Sequence, residues 1–414
     1  MMSIRGEGCK QPTAAMPTIR GMSTLLVTLT TTMPGIVIGL SRLLGTRGNE
    51  TCLSAGVSDV IQQGAFALLR RGENTDASYT SEPISVAEGN EGLLFDNLFD
   101  SMLKRRRSVR WKPQVKAWTV DGVYRIYRLT ESIAHGTYRS SKPTPIKVTY
   151  PKERTVFSIP FRDRIFQGYL NDKYIYPCMT RSFVYANSSC QYRKGTDFAR
   201  GLLKKYLWRH YTHYRREGYV LQIDIRHYYQ TISKTKALEH FKRYLTPNVY
   251  RHVEEMLAAQ YDDGFCAGSQ LIQILGISFL DGLDHFIKEQ LRIKGYIRYQ
   301  DDFIIIHPDK IYLAHCLEEI KKKLAGLELE VHPHKTHIKP ISGPIDFLGF
   351  RYSLDEDGKI YMRVLPKKVK EIRRRLRKHP ASLDAYIAYI GKGDSYKLIQ
   401  RLKEEFVDGD KDKR

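Results

Sequence analysis

Apolar residues fall into two kinds of run along this chain. In one kind they are contiguous and rich in β-branched and aromatic side chains. Tyr219-Val220-Leu221-Gln222-Ile223 ends in Asp224, while Tyr296-Ile297-Arg298-Tyr299 and Phe303-Ile304-Ile305-Ile306 flank Gln300-Asp301-Asp302. Such residues favour strands, and the polar trio fits the turn of a hairpin. In the other kind the apolar positions recur at helical spacing. Leu202, Leu203, Tyr206 and Leu207 predict a helix from Phe198 to Arg215, and Leu280, Leu283, Phe286, Ile287 and Leu291 predict an amphipathic helix that buttresses the strands. Val369, Ile372 and Leu376 mark the buried stripe of a helix starting at Pro366, and a helical insertion from Thr235 to Gln260 separates the two acidic strands.

The first 90 residues have no such pattern; they are rich in Thr, Ser and Gly and weakly periodic. Residues 1–90 therefore read as an N-terminal extension, poorly ordered by composition. An over-long start ahead of Met22 or Met33 and a small partner-binding module are the other readings. An apolar stretch over residues 24–45 follows Arg20. It is broken by Thr28, Thr30, Thr31, Thr32 and Pro34-Gly35, which argues against a spanning helix.

Composition narrows the partner. The 414 residues can hold two or three domains at ~150 residues each. With 67 Lys and Arg against 45 Asp and Glu, the formal net charge is +22. A surplus of that size calls for a polyanion, because each neutralised phosphate releases condensed counterions. The basic residues are spread along the chain rather than gathered for a membrane surface. Aromatics interleaved with Arg, among them 27 tyrosines, suit stacking on single-stranded bases. The six cysteines show no Cys-x-x-Cys spacing, which excludes a zinc ribbon and a secreted disulfide scaffold and points to a reducing cytoplasm.

Candidate chemistry lies where the strands end. Adjacent carboxylates repel each other, so a fold holds Asp301 and Asp302 together most readily around a cation. An Asp-Asp pair alone is common on solvated loops, and a lone Asp at a strand end is usually a cap or turn former. Together, Asp224, Asp301 and Asp302 supply oxygen ligands for hard cations. Magnesium prefers a few carboxylates plus substrate phosphates to a complete protein cage. Two such ions ~4 Å apart can clamp the attacking and leaving oxygens of an in-line phosphoryl displacement.

The segments Asp224-Ile225-Arg226-His227-Tyr228-Tyr229 and Tyr299-Gln300-Asp301-Asp302 resemble the palm motifs of reverse transcriptases, and further blocks follow that family's order. Pro151 to Arg154 and Ile159 to Arg164 are similar to the fingers segment, and Ser182 to Tyr185 and Arg193 to Ala199 to the next block. Gly268-Ser269-Gln270-Leu271-Ile272-Gln273 stands where the family has Gly-x-x-x-Ser-Gln or Gly-x-x-x-Ser-Pro. His334-Lys335-Thr336 and Phe347-Leu348-Gly349-Phe350 are similar to the last palm motif and the primer-grip hairpin. The resemblance spans roughly residues 93 to 400. It implies an α+β right-hand polymerase: fingers and palm over 91–350, the palm an antiparallel sheet backed by helices, then a short basic helical thumb and tail over 351–414.

What the resemblance implies for single residues follows its motifs. Asp224 and Asp301 are expected to ligate two Mg2+ ions, with Mn2+ as a substitute, together with the Ile225 carbonyl; Asp302 supports. Tyr229 falls on the position that excludes ribonucleotides. Lys152 and Arg154 are expected on the incoming triphosphate, Arg154 the better placed for bidentate contact. Gln273 is expected over the nascent base pair, and Lys335 as the acid that protonates departing pyrophosphate. Phe347, Leu348 and Gly349 form the primer grip. Ile272, in place of the usual Ser, removes a hydroxyl expected near the template–nucleotide pair.

The expected partners are an RNA template, the RNA/DNA heteroduplex and dNTPs, with no membrane. The short tail and the Gln273 form of the turn look most like diversity-generating retroelement or group II intron-like enzymes. Those work with a structured noncoding RNA and a small basic accessory protein. A bacterial defence-type reverse transcriptase with its own noncoding RNA or self-priming is the alternative, and a retron enzyme fits less well. A non-catalytic RNA-binding scaffold would not need all three acids. An RNA-dependent RNA polymerase usually has Gly where Gln300 stands and a small polar residue where Tyr229 stands.

Overall fold

A computed structural model describes residues 91–149, 153–261 and 264–406. These fall into two compact units divided between Tyr138 and Arg139. The N-terminal extension expected over residues 1–90, Lys152, and residues 407–414 of the expected tail lie outside the described residues.

The first unit is helical: α1 Glu91–Arg106, α2 Pro113–Val120 and α3 Gly122–Ala134. Leu94, Leu98 and Met102 of α1 and Ile126, Leu129 and Ile133 of α3 are buried, so apolar side chains at spacings of three and four close its core. Lys104, Arg105 and Arg106 crowd the last turn of α1, where cations meet the negative end of the helix dipole.

The second unit begins with the hairpin β1 Thr144–Val148 and β2 Arg154–Ser158. The helices α4 Phe161–Leu170, α5 Tyr176–Thr180 and α6 Thr196–Tyr214 follow, a π-helical turn over Asn171–Ile175 joining the first two. Next come β3 Tyr219–Asp224, α7 Tyr228–Thr231, α8 Lys234–Phe241 and α9 Pro247–Ala258. The predicted insertion over 235–260 is therefore two helices. Pro247 starts the second, since a proline has no N–H to continue the first. Then α10 Gln270–Phe279 and α11 Asp281–His285 run into a π-helical turn at Phe286–Gln290. The predicted buttress is thus longer than its apolar stripe and changes pitch twice.

Strands β4 Gly295–Tyr299 and β5 Asp302–His307 form the predicted hairpin, α12 Lys310–Gly326 follows, and β6 His337–Pro340 returns to the sheet. The antiparallel order is β4-β5-β3-β6. Phe303, Ile304, Ile305 and Ile306 of the inner strand β5 are all buried, although successive side chains point to opposite faces, so both faces are covered. On one of them α6 packs Leu203 and Leu207 against Val220, Ile297, Ile304 and Ile306. Each such side chain contributes roughly 1.5–3 kcal/mol on burial. Asp309 caps α12 by accepting the Ile311 and Tyr312 N–H groups, worth about 1 kcal/mol.

A second sheet, β7 Ile345–Phe347, β8 Phe350–Leu354 and β9 Ile360–Val364, precedes α13 Pro366–Leu376, a 3-10 turn at Pro380–Ser382, α14 Leu383–Ile390 and α15 Tyr396–Phe406. Its core is continuous with that of α6: Phe350, Tyr352, Ile372, Leu376, Ile390 and Leu402 belong to one buried cluster with Leu203 and Leu207. The fold is α+β, as expected. Among the described residues no helix is long and apolar enough to cross a membrane.

Candidate active site

Antiparallel pairing of β3 with β5 sets Asp224 opposite Asp302, and Asp301 occupies the adjoining two-residue turn with Gln300. The three predicted acids are therefore neighbours at one end of the sheet. Asp302 has its pKa pushed up to about 7, by burial first and then by the charges of Asp301 and Asp224. Asp301 is also raised, chiefly by burial. A cluster whose members raise one another is short of positive charge.

One cation is already there. Lys335 Nζ lies 2.8 and 2.9 Å from the two oxygens of Asp224. The turn carrying it is tied to the acid's own backbone, as His332 N–H donates to the Asp224 carbonyl at 2.7 Å. Ile225 bridges to Val331 through the groups of its neighbours, Arg226 N–H to Glu330 and Asp224 C=O to His332. In antiparallel geometry this turns the Ile225 carbonyl away from that partner.

Among the described residues no group of three or more His, Cys, Asp or Glu side chains is closed around a metal position. The donor set nevertheless fits hard cations: carboxylate oxygens, unfavourably charged together, with a backbone carbonyl beside them and room for substrate oxygens. A groove of about 280 Å³ runs from Asp224 and Asp302 past Lys335 to Phe347 and Leu348. It joins the acids to the predicted primer grip. Leu348 and Gly349, both at positive φ, make a two-residue turn between paired Phe347 and Phe350. Gly349 has φ 86°, where a side chain is strained, and a Cβ there would fall 2.4 Å from the Tyr389 hydroxyl and have to displace it. Arg200 of α6 donates to the Leu348 carbonyl at 2.7 Å and to Asp197 at 2.9 Å, while Lys392 holds the other Asp197 oxygen at 2.7 Å.

On the other side of Asp301 stands Tyr229. Its ring lies against Gly276 of α10, where a Cβ would come 2.7 Å from Cε1. Burial, then the proximity of Cys190 and Asp301, raises its pKa, and its hydroxyl makes no hydrogen bond among the described residues. Gln273 is exposed and sits 3.7 Å from Cys190 Sγ, which in turn lies 3.7 Å from Gln300 Nε2. Tyr229, Gln273 and the acid turn are thus grouped around Cys190. Ile272 is buried, and its N–H is capped by Ser269 Oγ. The hydroxyl that its Ser counterpart was expected to offer to a template would, at this position, face the core. The turn before α10 abuts β2, since a Cβ on Gly268 would lie 2.2 Å from the Phe157 carbonyl oxygen. Arg154 begins β2, paired through its backbone with Val148; its side chain and Lys152 lie outside the described residues.

Pattern reading missed what holds the acid turn. Arg298 of β4 is fully buried and forms a two-pronged ion pair with fully buried Asp284 of α11, Nε to Oδ1 at 2.7 Å. The Tyr296 hydroxyl also donates to Asp284. The guanidinium further donates to the Ile277 and Gln300 carbonyls, each at 3.1 Å. Gln300 has φ 57°, a left-handed conformation that disfavours residues with a Cβ. It is gripped from both sides, because its N–H donates to Ser189 Oγ at 3.1 Å while Arg298 holds its carbonyl. The available signal was a lone charge inside an apolar strand, which must find a partner when buried. For Tyr229 it was Gly276 inside an apolar helix, a mark of close approach.

Residues 153–352, just under half of the chain, match the family model described as reverse transcriptase (RNA-dependent DNA polymerase). No curated protein matches the chain. Among solved structures, apo telomerase from Candida tropicalis is similar at 11% identity over 54% of this chain and 49% of that one, with a TM-score of 0.40. The RNA-dependent RNA polymerase of a human picobirnavirus is similar at 13% identity over 52% and 43%, with a TM-score of 0.37. The chain spans about half the length of these structures or less. Likeness at that level says nothing about activity.

Proposed function

We propose that this chain copies RNA into DNA, adding dNTPs to a primer 3′-hydroxyl on an RNA template. The observation that carries the reading is Asp224 opposite Asp302 with Asp301 in the adjoining turn, within a stretch that matches the reverse transcriptase model. Asp224, Asp301 and the Ile225 carbonyl would hold Mg2+, or Mn2+ in its place, with Asp302 in support. Bound there, two such ions would acidify the 3′-hydroxyl and stabilise charge on the phosphate under attack.

The protein's own groups then divide the remaining work. Tyr229, its ring backed by Gly276, fills the space a ribose 2′-hydroxyl would need. Lys335 carries a proton at Nζ beside Asp224 that can pass to pyrophosphate. Gln273 faces the nascent pair, Lys152 and Arg154 the triphosphate, and Phe347, Leu348 and Gly349 the primer strand. The assignment of 91–350 to fingers and palm and 351–414 to thumb and tail belongs to the same proposal. So does a template RNA of a diversity-generating retroelement, with a structured noncoding RNA and a basic accessory protein. The Ile272 departure leaves a defence-type enzyme as the second reading. Cys178, Cys190, Cys266 and Cys316 are all free thiols, which suits a cytoplasmic setting.

Primer extension on an RNA template with Mg2+ tests this, comparing dNTPs with NTPs and wild type with Asp301→Ala. DNA product that falls at least about 10³-fold in the variant is expected, a loss of several kcal/mol of transition-state stabilisation. Undiminished synthesis by Asp301→Ala, or none by folded wild type supplied with cellular RNA, would overturn it.

A further inference from the structure

A second cavity, of about 820 Å³, opens between β9 and the start of α15. It shares no lining residue with the catalytic groove. Three cations line it, Arg363 from β9 and Lys397 and Arg401 from α15, and all three are exposed. None of the three forms an ion pair among the described residues, whereas neighbouring Arg373 and Arg377 are both spent on Glu405. Lys397 and Arg401 stand one helical turn apart, so their side chains share a face. Two tyrosines also line it: Tyr361, over which the Arg363 guanidinium sits at 5.3 Å, and Tyr396, 73% exposed.

The floor is rigid. Asp394 closes the outer edge of β9 by accepting Met362 N–H with Oδ2 and donating its own N–H to the Met362 carbonyl, each at 2.7 Å. A Cβ on Gly393 would lie 2.4 Å from that carbonyl. Cations without an ion-pair partner next to an exposed ring in a concave site match a phosphodiester backbone with a base stacked beside it. An acidic peptide would use the cations and leave the rings idle. The exposed Asp394 carboxylate adds an acceptor for a ribose 2′-hydroxyl, which DNA lacks.

We propose that this cavity is a second RNA site, separate from the catalytic groove, which seats a short single-stranded stretch of RNA. Arg363, Lys397 and Arg401 take its phosphates and Tyr396 stacks on a base. The site tethers RNA that is not being copied at that moment. It goes beyond the polymerase reading and does not depend on it.

The test is fluorescence anisotropy with a labelled 12-nucleotide single-stranded RNA and the full chain carrying Asp301→Ala. Excess annealed RNA–DNA primer–template is present to fill the catalytic groove. Binding should persist. Adding Lys397→Ala and Arg401→Ala should weaken it at least tenfold and flatten the log–log salt slope by about 1.4, the release expected for two single-strand phosphates. Tyr396→Ala should weaken it about tenfold with the slope unchanged. Near-UV circular dichroism identical to the parent shows that these surface variants are folded.

Four outcomes would overturn the assignment. One is complete displacement by primer–template. Another is wild-type affinity in both the Lys397→Ala/Arg401→Ala variant and the Tyr396→Ala variant. The third is equal binding by DNA of the same sequence, and the fourth is displacement by polyglutamate as readily as by RNA.

Discussion

Arg298→Met removes the group that clamps the acid turn, and its cost can be worked from the contacts. Asp284, fully buried, keeps the Tyr296 hydroxyl but loses both guanidinium bonds, and the Gln300 and Ile277 carbonyls lose their donor. Removing one side of a buried pair destabilises by roughly 3–5 kcal/mol, a large part of the ~5–15 kcal/mol that holds a typical domain folded. The same principle says that Arg298→Met with Asp284→Leu should recover most of that loss, since no charge remains buried alone.

Stability and activity should then part. In the double variant nothing holds the Gln300 carbonyl, and a left-handed Gln costs about 1–2 kcal/mol to maintain. The turn should relax and carry Asp301 out of register with Asp224. Urea unfolding should place the single variant roughly 3–5 kcal/mol below wild type and the double within about 2 kcal/mol of it. Single-turnover primer extension should be depressed at least tenfold in both. Gln300→Gly in the double background should restore part of the rate, because glycine adopts positive φ without strain. Wild-type extension by the double variant would refute the positioning role, and a single-variant loss below about 1 kcal/mol would refute the buried-pair argument.

Asp302 supplies a pH dependence. Its pKa is raised from 3.8 to about 7, so its contribution to folding is fully present below the unfolded value and is lost as pH climbs through about 7. In EDTA the chain should lose stability between about pH 4 and pH 7.5, by at most about 4 kcal/mol from this group, and Asp302→Asn should flatten that slope in chemical unfolding; an unchanged slope would contradict the crowding of the three acids. Tyr229→Ala should lower dNTP-over-NTP selectivity roughly ten- to hundredfold in competitive extension, whereas equal selectivity would place the gate elsewhere. Arg200→Ala frees the Leu348 carbonyl and should cost about 1–3 kcal/mol while raising the KM for primer more than for dNTP. A uniform loss in kcat would argue that Arg200 acts on chemistry instead.

The sequence by itself determined the local parts of this protein. β-branched runs on either side of Gln300-Asp301-Asp302 specify two strands and a turn whatever surrounds them, and apolar residues at helical spacing specify α6 and α13. The acids could be named because strand ends and hairpin turns are short-range features. Tertiary structure decided what those parts meet. Lys335 reaches Asp224 across 111 residues, and Arg200 reaches the Leu348 carbonyl across 148. Nothing local marks Arg200 as different from the other cations of a chain with 67, and Lys335 stood out by its family-like motif alone, which names no partner. Arg298 shows the same division: its place in an apolar strand was visible, but its partner Asp284 sits on a helix whose facing was not. A buried charge must be paired, and sequence reveals the need; only packing reveals which group meets it.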